Sequence, residues 1–223
     1  MSLDLYYCST IPGCRAVLMV GEALGLTFNL HPLDVHNKEH LRQEFIEVNP
    51  LKTVPLLKHE GLVLFESHVI CTYLINKFGK DDSLYPKDPA SRAKVDQILY
   101  FDSGTLYKNL INCLDPKHPK CAYIKARESL SVINRQLGQT PYAAGDQITV
   151  ADFALVATIS TAEAVQPDLS RHPNIVTWLR KCKSVIPGYE LHNEPGVQQF
   201  AKLYHSKKQK DGSEVNDKNK SGV

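Results

Sequence analysis

The feature that most constrains the fold of this chain is a change of pattern close to residue 80. Upstream, short apolar runs of strand length alternate with stretches of helical spacing; downstream, only helical spacing is found. Residues 3–8, 27–31, 54–57 and 62–65 read as strands, the last two separated by His59-Glu60-Gly61, which suits a hairpin turn. Helical spacing runs from Cys14 to near Gly25 (Val17, Leu18, Val20, Ala23, Leu24), over residues 39–48 (Leu41, Phe45 and Val48 on one side) and over residues 67–78. The order β-α-β-α-β-β-α fills about eighty residues. Residues 91–114, 123–137, 150–165, 175–183 and 188–205 are helical candidates. A mixed α/β unit over 1–80, a polar, Pro-containing linker over 81–89 and an all-helical unit over 90–206 are therefore expected. Residues 207–223 are rich in Lys, Asp, Asn, Ser and Gly and are expected to lack structure.

Charge and cysteine usage remove several function classes. The net charge of +2 resides in residues 207–223, where five Lys face Asp211, Glu214 and Asp217. The remainder is balanced, so there is no electrostatic case for nucleic acid or an anionic membrane. The N-terminal Met-Ser-Leu-Asp-Leu lacks the basic and apolar regions of a signal peptide, and no stretch reaches the roughly 18 apolar residues of a membrane span. Cys8, Cys14, Cys71, Cys113, Cys121 and Cys182 form no C-x-x-C pair and no metal-ligand spacing. Reduced thiols, a cytoplasmic location and no metal are expected.

Two stretches carry chemistry. In Asn49-Pro-Leu-Lys-Thr-Val-Pro-Leu-Leu, Pro55 precedes an apolar strand to which it cannot donate a ladder hydrogen bond. If the Val54–Pro55 bond is cis, the Val54 backbone faces outward and can pair with an extended peptide-like ligand; a trans turn proline is the plainer alternative. Eleven residues after Pro55, Glu66-Ser67-His68 sits where a strand hands over to a helix. A helix start has free N–H groups and partial positive charge suited to a carboxylate, with the Ser67 hydroxyl as a further donor; Ser67 as an ordinary N-cap is the alternative. His40 and Lys52 suit a second carboxylate, and Glu66 suits an ammonium group. Together they describe a site for an extended zwitterionic peptide. Separately, Thr149-x-x-Asp152 is placed to cap the helix from Val150 reciprocally, and that helix is apolar on nearly every face, as a helix at the centre of a domain should be.

Tyr6-Tyr7, Cys14-Arg15, Asn49-Pro50, Thr53-Val54-Pro55, Glu66-Ser67, Asp82-Ser-Leu-Tyr-Pro86, Phe101-Asp-Ser-Gly-Thr-Leu-Tyr107 and Thr149-Val-Ala-Asp152, in this order and spacing, resemble an insect glutathione S-transferase, nearest the delta and epsilon classes. The resemblance implies a thioredoxin-like N-terminal domain, an all-helical C-terminal domain and a homodimer. It implies a site for glutathione formed by Ile11, His40, Lys52, Thr53, Val54, Pro55, Glu66, Ser67 and His68. In it Val54 contacts the cysteinyl backbone, Glu66 and Ser67 hold the γ-glutamyl end, and His40 and Lys52 lie near the glycyl carboxylate. A second pocket for a small hydrophobic electrophile is implied, with Tyr107, Leu110, Ile111, Phe200 and Tyr204 as candidates for its lining. The expected activity is conjugation of the glutathione thiolate to hydrophobic electrophiles, a detoxifying reaction. The alternatives are a glutathione-site carrier with weak or no activity, or a glutathione-dependent isomerase or peroxidase.

The sequence departs from the family at three positions. Lys52 replaces a usual His and His68 a usual Arg, both of which retain a cationic or potentially cationic group. The third change is not conservative. Ile11 occupies the place of the serine whose hydroxyl favours the thiolate, and an isoleucine side chain donates no hydrogen bond. Ser9, Tyr7 and Thr10 are the candidate replacements, in that order. Cys8 and Cys14, as partners in a mixed disulfide with glutathione, come last.

Overall fold

In a computed structural model of the chain, residues 2–114, 120–165 and 169–220 are described. Strands β1 (Asp4–Tyr7), β2 (Asn29–Pro32), β3 (Leu56–His59) and β4 (Leu62–Phe65) form one sheet in the order β2-β1-β3-β4. β1 and β2 are parallel, which requires a crossover, and helix α1 (Pro12–Ala23) supplies it. β1–β3 and β3–β4 are antiparallel, the latter closed by Glu60-Gly61, both with positive φ, as a two-residue hairpin demands. β3 starts at Leu56 rather than at Val54, because Pro55 has no N–H for the ladder. Leu5 and Leu57 oppose each other and are fully buried in the core with residues of α1 and of α3 (Ser67–Phe78). Their neighbours Tyr6 and Leu56 face the other side, where Tyr6 lies 5.9 Å from the Phe45 ring of α2 (Gln43–Val48).

The helical unit contains α4 (Pro89–Phe101), α5 (Tyr107–Leu114), α6 (Lys120–Gln136), α7 (Val150–Val165), α8 (Pro173–Val185) and α9 (Glu194–Lys220). α7 is buried at nearly every position, as its all-round apolar sequence requires. α1 packs on α3 and also on α7, so it is buried continuously from Cys14 to Gly21 and belongs to both cores. The connection is anchored as well: Val150 N–H donates to Leu84 C=O at 2.9 Å, and the Arg92 guanidinium stacks 4.3 Å over the Tyr85 ring. Asp88 caps α4 by accepting from Ser91 N–H at 2.8 Å.

Four expectations from the sequence change. The helix over 39–48 is a 3-10 turn (Glu39–Leu41) and then α2, separated by extended backbone at Arg42. The helix over 91–114 is interrupted by a π turn, Asp102–Leu106, in which Tyr107 N–H reaches back to Asp102 C=O. The cap at Thr149 works in one direction only. Asp152 accepts from the Thr149 N–H at 2.9 Å, but the Thr149 hydroxyl turns to the same carboxylate at 3.4 Å instead of capping the helix. Asp152 accepts in addition from Ala143 N–H and from the Trp178 indole N–H, both at 2.9 Å, so it serves as a buried hub tying α7 to α8. Finally, residues 207–220 continue α9. Their Lys, Gln and Glu are good helix formers, and extending a nucleated helix costs far less than starting one.

Candidate functional site

A cleft of about 390 Å³ opens where α1 and α3 begin. The two helix starts are pressed together: a Cβ on Gly13 would lie 2.7 Å from Ser67 Oγ, so only glycine permits the approach. Neither helix has a side-chain N-cap, in contrast to α4 with Asp88. Their first N–H groups and partial positive charge are therefore left for something else to satisfy.

The N-terminal wall is shaped by turns. Asn49 is buried and holds the 49–53 loop, its amide donating to Thr53 C=O at 2.8 Å and its side-chain oxygen accepting from Leu51 N–H at 3.1 Å. Lys52 takes the left-handed conformation (φ 59°) and the Val54–Pro55 bond is cis. Glu66 has φ 68° and ψ 108°, a conformation that costs a non-glycine residue about 1–3 kcal/mol and tends to occur where a side chain or backbone group must be aimed. Ile11, His40, Lys52, Thr53, Val54, Pro55, Glu66, Ser67 and His68 all line the cleft. Among the described residues His40 Nδ1, buried there, has no hydrogen-bond partner.

The opposite wall belongs to the helical unit and was not foreseen beyond Tyr107: Asp102, Ser103, Tyr107, Ala154 and Thr158 line it. Closing i to i+5, the π turn brings Asp102 and Tyr107 to the same cleft. Asp102 is 3% exposed; one carboxylate oxygen pairs with His68 Nε2 at 3.1 Å across the two units, and the other, Oδ1, is buried and has no partner among the described residues. Two buried polar atoms without partners, one on each wall, are the pattern left when a ligand supplies the missing hydrogen bonds.

The residues proposed from sequence as sulfur donors lie elsewhere. Ser9 Oγ donates to Gln199 of α9 at 2.9 Å. Thr10 is 2% exposed, its hydroxyl engaged by Cys8 Sγ at 3.2 Å and His36 Nε2 at 3.4 Å. Tyr7 packs against the core and does not line the cleft. Cys14 is fully buried, and burial pushes its thiol up to about 12, an inert rather than a nucleophilic sulfur. Of the residues suggested for the electrophile pocket, Tyr107 lines the cleft, Leu110 is in the core, and Ile111, Phe200 and Tyr204 lie outside the lining. Arg15 explains why the 9–11 loop turns as it does. Its guanidinium is fully buried and donates to Ser9 C=O at 2.9 Å, Ala157 C=O at 3.0 Å, Asn193 Oδ1 at 2.9 Å and the Thr161 hydroxyl.

Residues 1–76 match the glutathione S-transferase N-terminal domain, and residues 105–181 match the glutathione S-transferase C-terminal domain. Glutathione S-transferase D7 of Anopheles gambiae is 41% identical over 215 residues, which cover 93% of this chain and 99% of the relative. A delta-class glutathione transferase of Nilaparvata lugens is similar in structure, with TM-score 0.86 and 42% identity over 92% of this chain and 99% of that one. A glutathione transferase homolog from Drosophila mojavensis, whose structure contains bound glutathione, matches with TM-score 0.85 and 33% identity over 92% and 97% of the two chains. Among the described residues no cluster of His, Cys, Asp and Glu is arranged to hold a metal ion, and no helix is long and apolar enough to cross a membrane. With both of its domains matched and close relatives aligned along almost the whole length, the chain belongs to the glutathione S-transferase family, transferases that use glutathione as co-substrate.

Proposed function

We propose that the cleft holds glutathione extended and presents its thiolate to a small hydrophobic electrophile. The observation that carries this reading is the meeting of two uncapped helix starts at Gly13 and Ser67, an arrangement that favours anions. In this reading Ser67 and the start of α3 bind the γ-glutamyl carboxylate, while Glu66 and Asp102 Oδ1 accept from its ammonium group. The Val54 backbone pairs with the cysteinyl residue, and His40 and Lys52 face the glycyl carboxylate. Thr53, Pro55, His68 and Ile11 complete the walls. The Drosophila mojavensis relative with bound glutathione supports this choice of ligand.

The chemistry asked of the site is small. A free thiol titrates near about 8.5, so a donor and a helix start aimed at the sulfur raise the thiolate fraction, at about 1.4 kcal/mol per unit. The thiol proton passes to solvent. The thiolate then attacks the electrophilic carbon, forming a C–S bond as the leaving group departs with its bonding pair, and proximity within the cleft supplies much of the acceleration. We place the electrophile on the Tyr107 side, with Leu110, Ile111, Phe200 and Tyr204 at most supporting that region from behind. Exposed Phe65, Val69 and Tyr100, which is 78% exposed, suit a homodimer interface, and six cysteines outside any disulfide suit the cytoplasm.

Titration calorimetry with glutathione, followed by steady-state conjugation to a chlorinated nitrobenzene, tests the proposal. Saturable binding with turnover is expected. Failure to bind glutathione overturns the ligand assignment, and binding without turnover on a broad panel of electrophiles overturns the catalytic half.

A further inference from the structure

An alkyl side chain at position 11 leaves the sulfur without the hydroxyl that a thiolate site needs, and the loop around it offers no substitute. Ser9 is committed to Gln199, Thr10 is sealed between Cys8 and His36, and Tyr7 is outside the cleft lining. Moving Ser9 would mean breaking the Arg15 clamp on its carbonyl and displacing α9, whose Gly196 is so close that an added Cβ would fall 2.2 Å from the Ser9 carbonyl oxygen. The donor therefore has to come from another wall. Ser67 and Thr53 stand on the side that takes the glutathione backbone. Ser103 donates to Leu99 C=O at 3.2 Å, and Thr158 is only 4% exposed. Tyr107 remains. It lines the cleft with Ile11, Pro12, Gly13 and Ala16, and among the described residues its hydroxyl has no hydrogen-bond partner.

We infer that the Tyr107 hydroxyl is a catalytic residue, donating to the glutathione sulfur from the helical unit in place of a hydroxyl on the N-terminal loop. The inference rests on the glutathione reading above. Three further observations support it. The phenol shares the cleft with Ile11, Pro12 and Gly13, so it opens onto the same space as the helix start that the thiolate should face. It is carried into the cleft by the π turn; in an uninterrupted α-helix residues five apart, such as Asp102 and Tyr107, point about 140° apart and would not share one cleft. Burial pushes its ionisation above the ordinary tyrosine value, so it keeps its proton at neutral pH and stays a donor. No proton need leave the phenol: the thiol proton goes to solvent, and the O–H bond remains intact while it stabilises the anion.

The test is Tyr107→Phe, which removes one oxygen and keeps the ring. The ultraviolet absorbance of the bound glutathione thiolate is titrated against pH in the wild type, in Tyr107→Phe and in Ser9→Ala, alongside calorimetric affinity and kcat/KM. Tyr107→Phe should bind glutathione within about twofold of wild type, raise the thiolate titration by about one unit or more and lower kcat/KM by about a hundredfold. Ser9→Ala should leave the titration where it is. An unchanged titration in Tyr107→Phe, or a shift confined to Ser9→Ala, overturns the inference, as does a wild-type complex whose thiol titrates like free glutathione. A wild type that binds no glutathione fails differently, because it removes the ligand assignment itself.

Discussion

On the N-terminal side of the cleft, the groups aimed at a ligand are positioned by turns: the Asn49 loop, left-handed Lys52, the bond before Pro55 and the unusual backbone at Glu66. Across the cleft, Asp102, Tyr107 and Thr158 sit on helices whose positions are fixed by buried polar groups, with Asp152 joining α7 to α8 and Arg15 joining α1 to α7. The first wall derives its precision from short segments of contiguous sequence. The second derives it from buried side chains that tie separate helices together, Asp152 to Trp178 within the helical unit and Arg15 to the Ala157 carbonyl from 142 residues away. The two can therefore change independently: local substitution reshapes the first wall, while the second changes only if a buried network changes with it.

The largest predicted effect tests whether that network supports the helical wall. Asp152→Ala strands the N–H groups of Ala143, Thr149 and Trp178 in a fully buried site, and should cost about 3–5 kcal/mol in urea unfolding. A loss below about 1 kcal/mol would break the contrast, because the helices would then be held by apolar packing alone. Next in size is Ser67→Ala on the other wall. In the proposed reading Ser67 donates to the γ-glutamyl carboxylate, so losing that bond should weaken glutathione binding by about 10- to 100-fold, with unfolding free energy unchanged within about 0.5 kcal/mol. Asp102→Asn should do both on a smaller scale. It discharges the pair with His68 that spans the two units, so affinity falls about tenfold and stability falls with it. Calorimetry and urea unfolding on the same samples separate the cases: one wall answers in binding alone, the other in binding and stability together.

This division also explains what could be read from the sequence. That the residues of the N-terminal wall gather in one place was legible because each depends on its immediate neighbours: Pro55 opens a strand, Glu66-Ser67 begins a helix, Asn49 turns a loop. The thioredoxin-like order and the central α7 were legible from periodicity. Asp102 was not, even though the segment containing it was recognised, because counting 91–114 as one α-helix assigns Asp102 and Tyr107 to different faces and only the π turn reunites them. Ser9 and Thr10 looked available for the same reason in reverse. What occupies their hydroxyls is Gln199 in one case and Cys8 and His36 in the other, and the first of these lies 190 residues away.

The smallest effect concerns a carboxylate of the same kind as Asp152 placed in water. Asp4 lies at the start of β1, where it accepts from His31 Nε2 at 2.9 Å, the Ser2 hydroxyl at 2.8 Å and the Asn29 amide at 2.6 Å. These bonds, that from His31 first, hold its ionisation down at about 2. An unfolded aspartate titrates near about 3.9, so the contribution is that of a depressed acid. It is fully present above pH about 4 and is lost as the pH falls toward about 2, where the folded carboxylate takes up its proton. Asp4→Asn should therefore lower the thermal midpoint slightly at neutral pH, and wild type and variant should converge on acidification through that window. A difference that persists unchanged to the acid end would mean that the strand pair β1–β2 feels the shape of the side chain and not its charge. Convergence, beside a large loss in Asp152→Ala, would show that exposure to solvent, and not the number of hydrogen bonds a carboxylate accepts, decides what the group contributes.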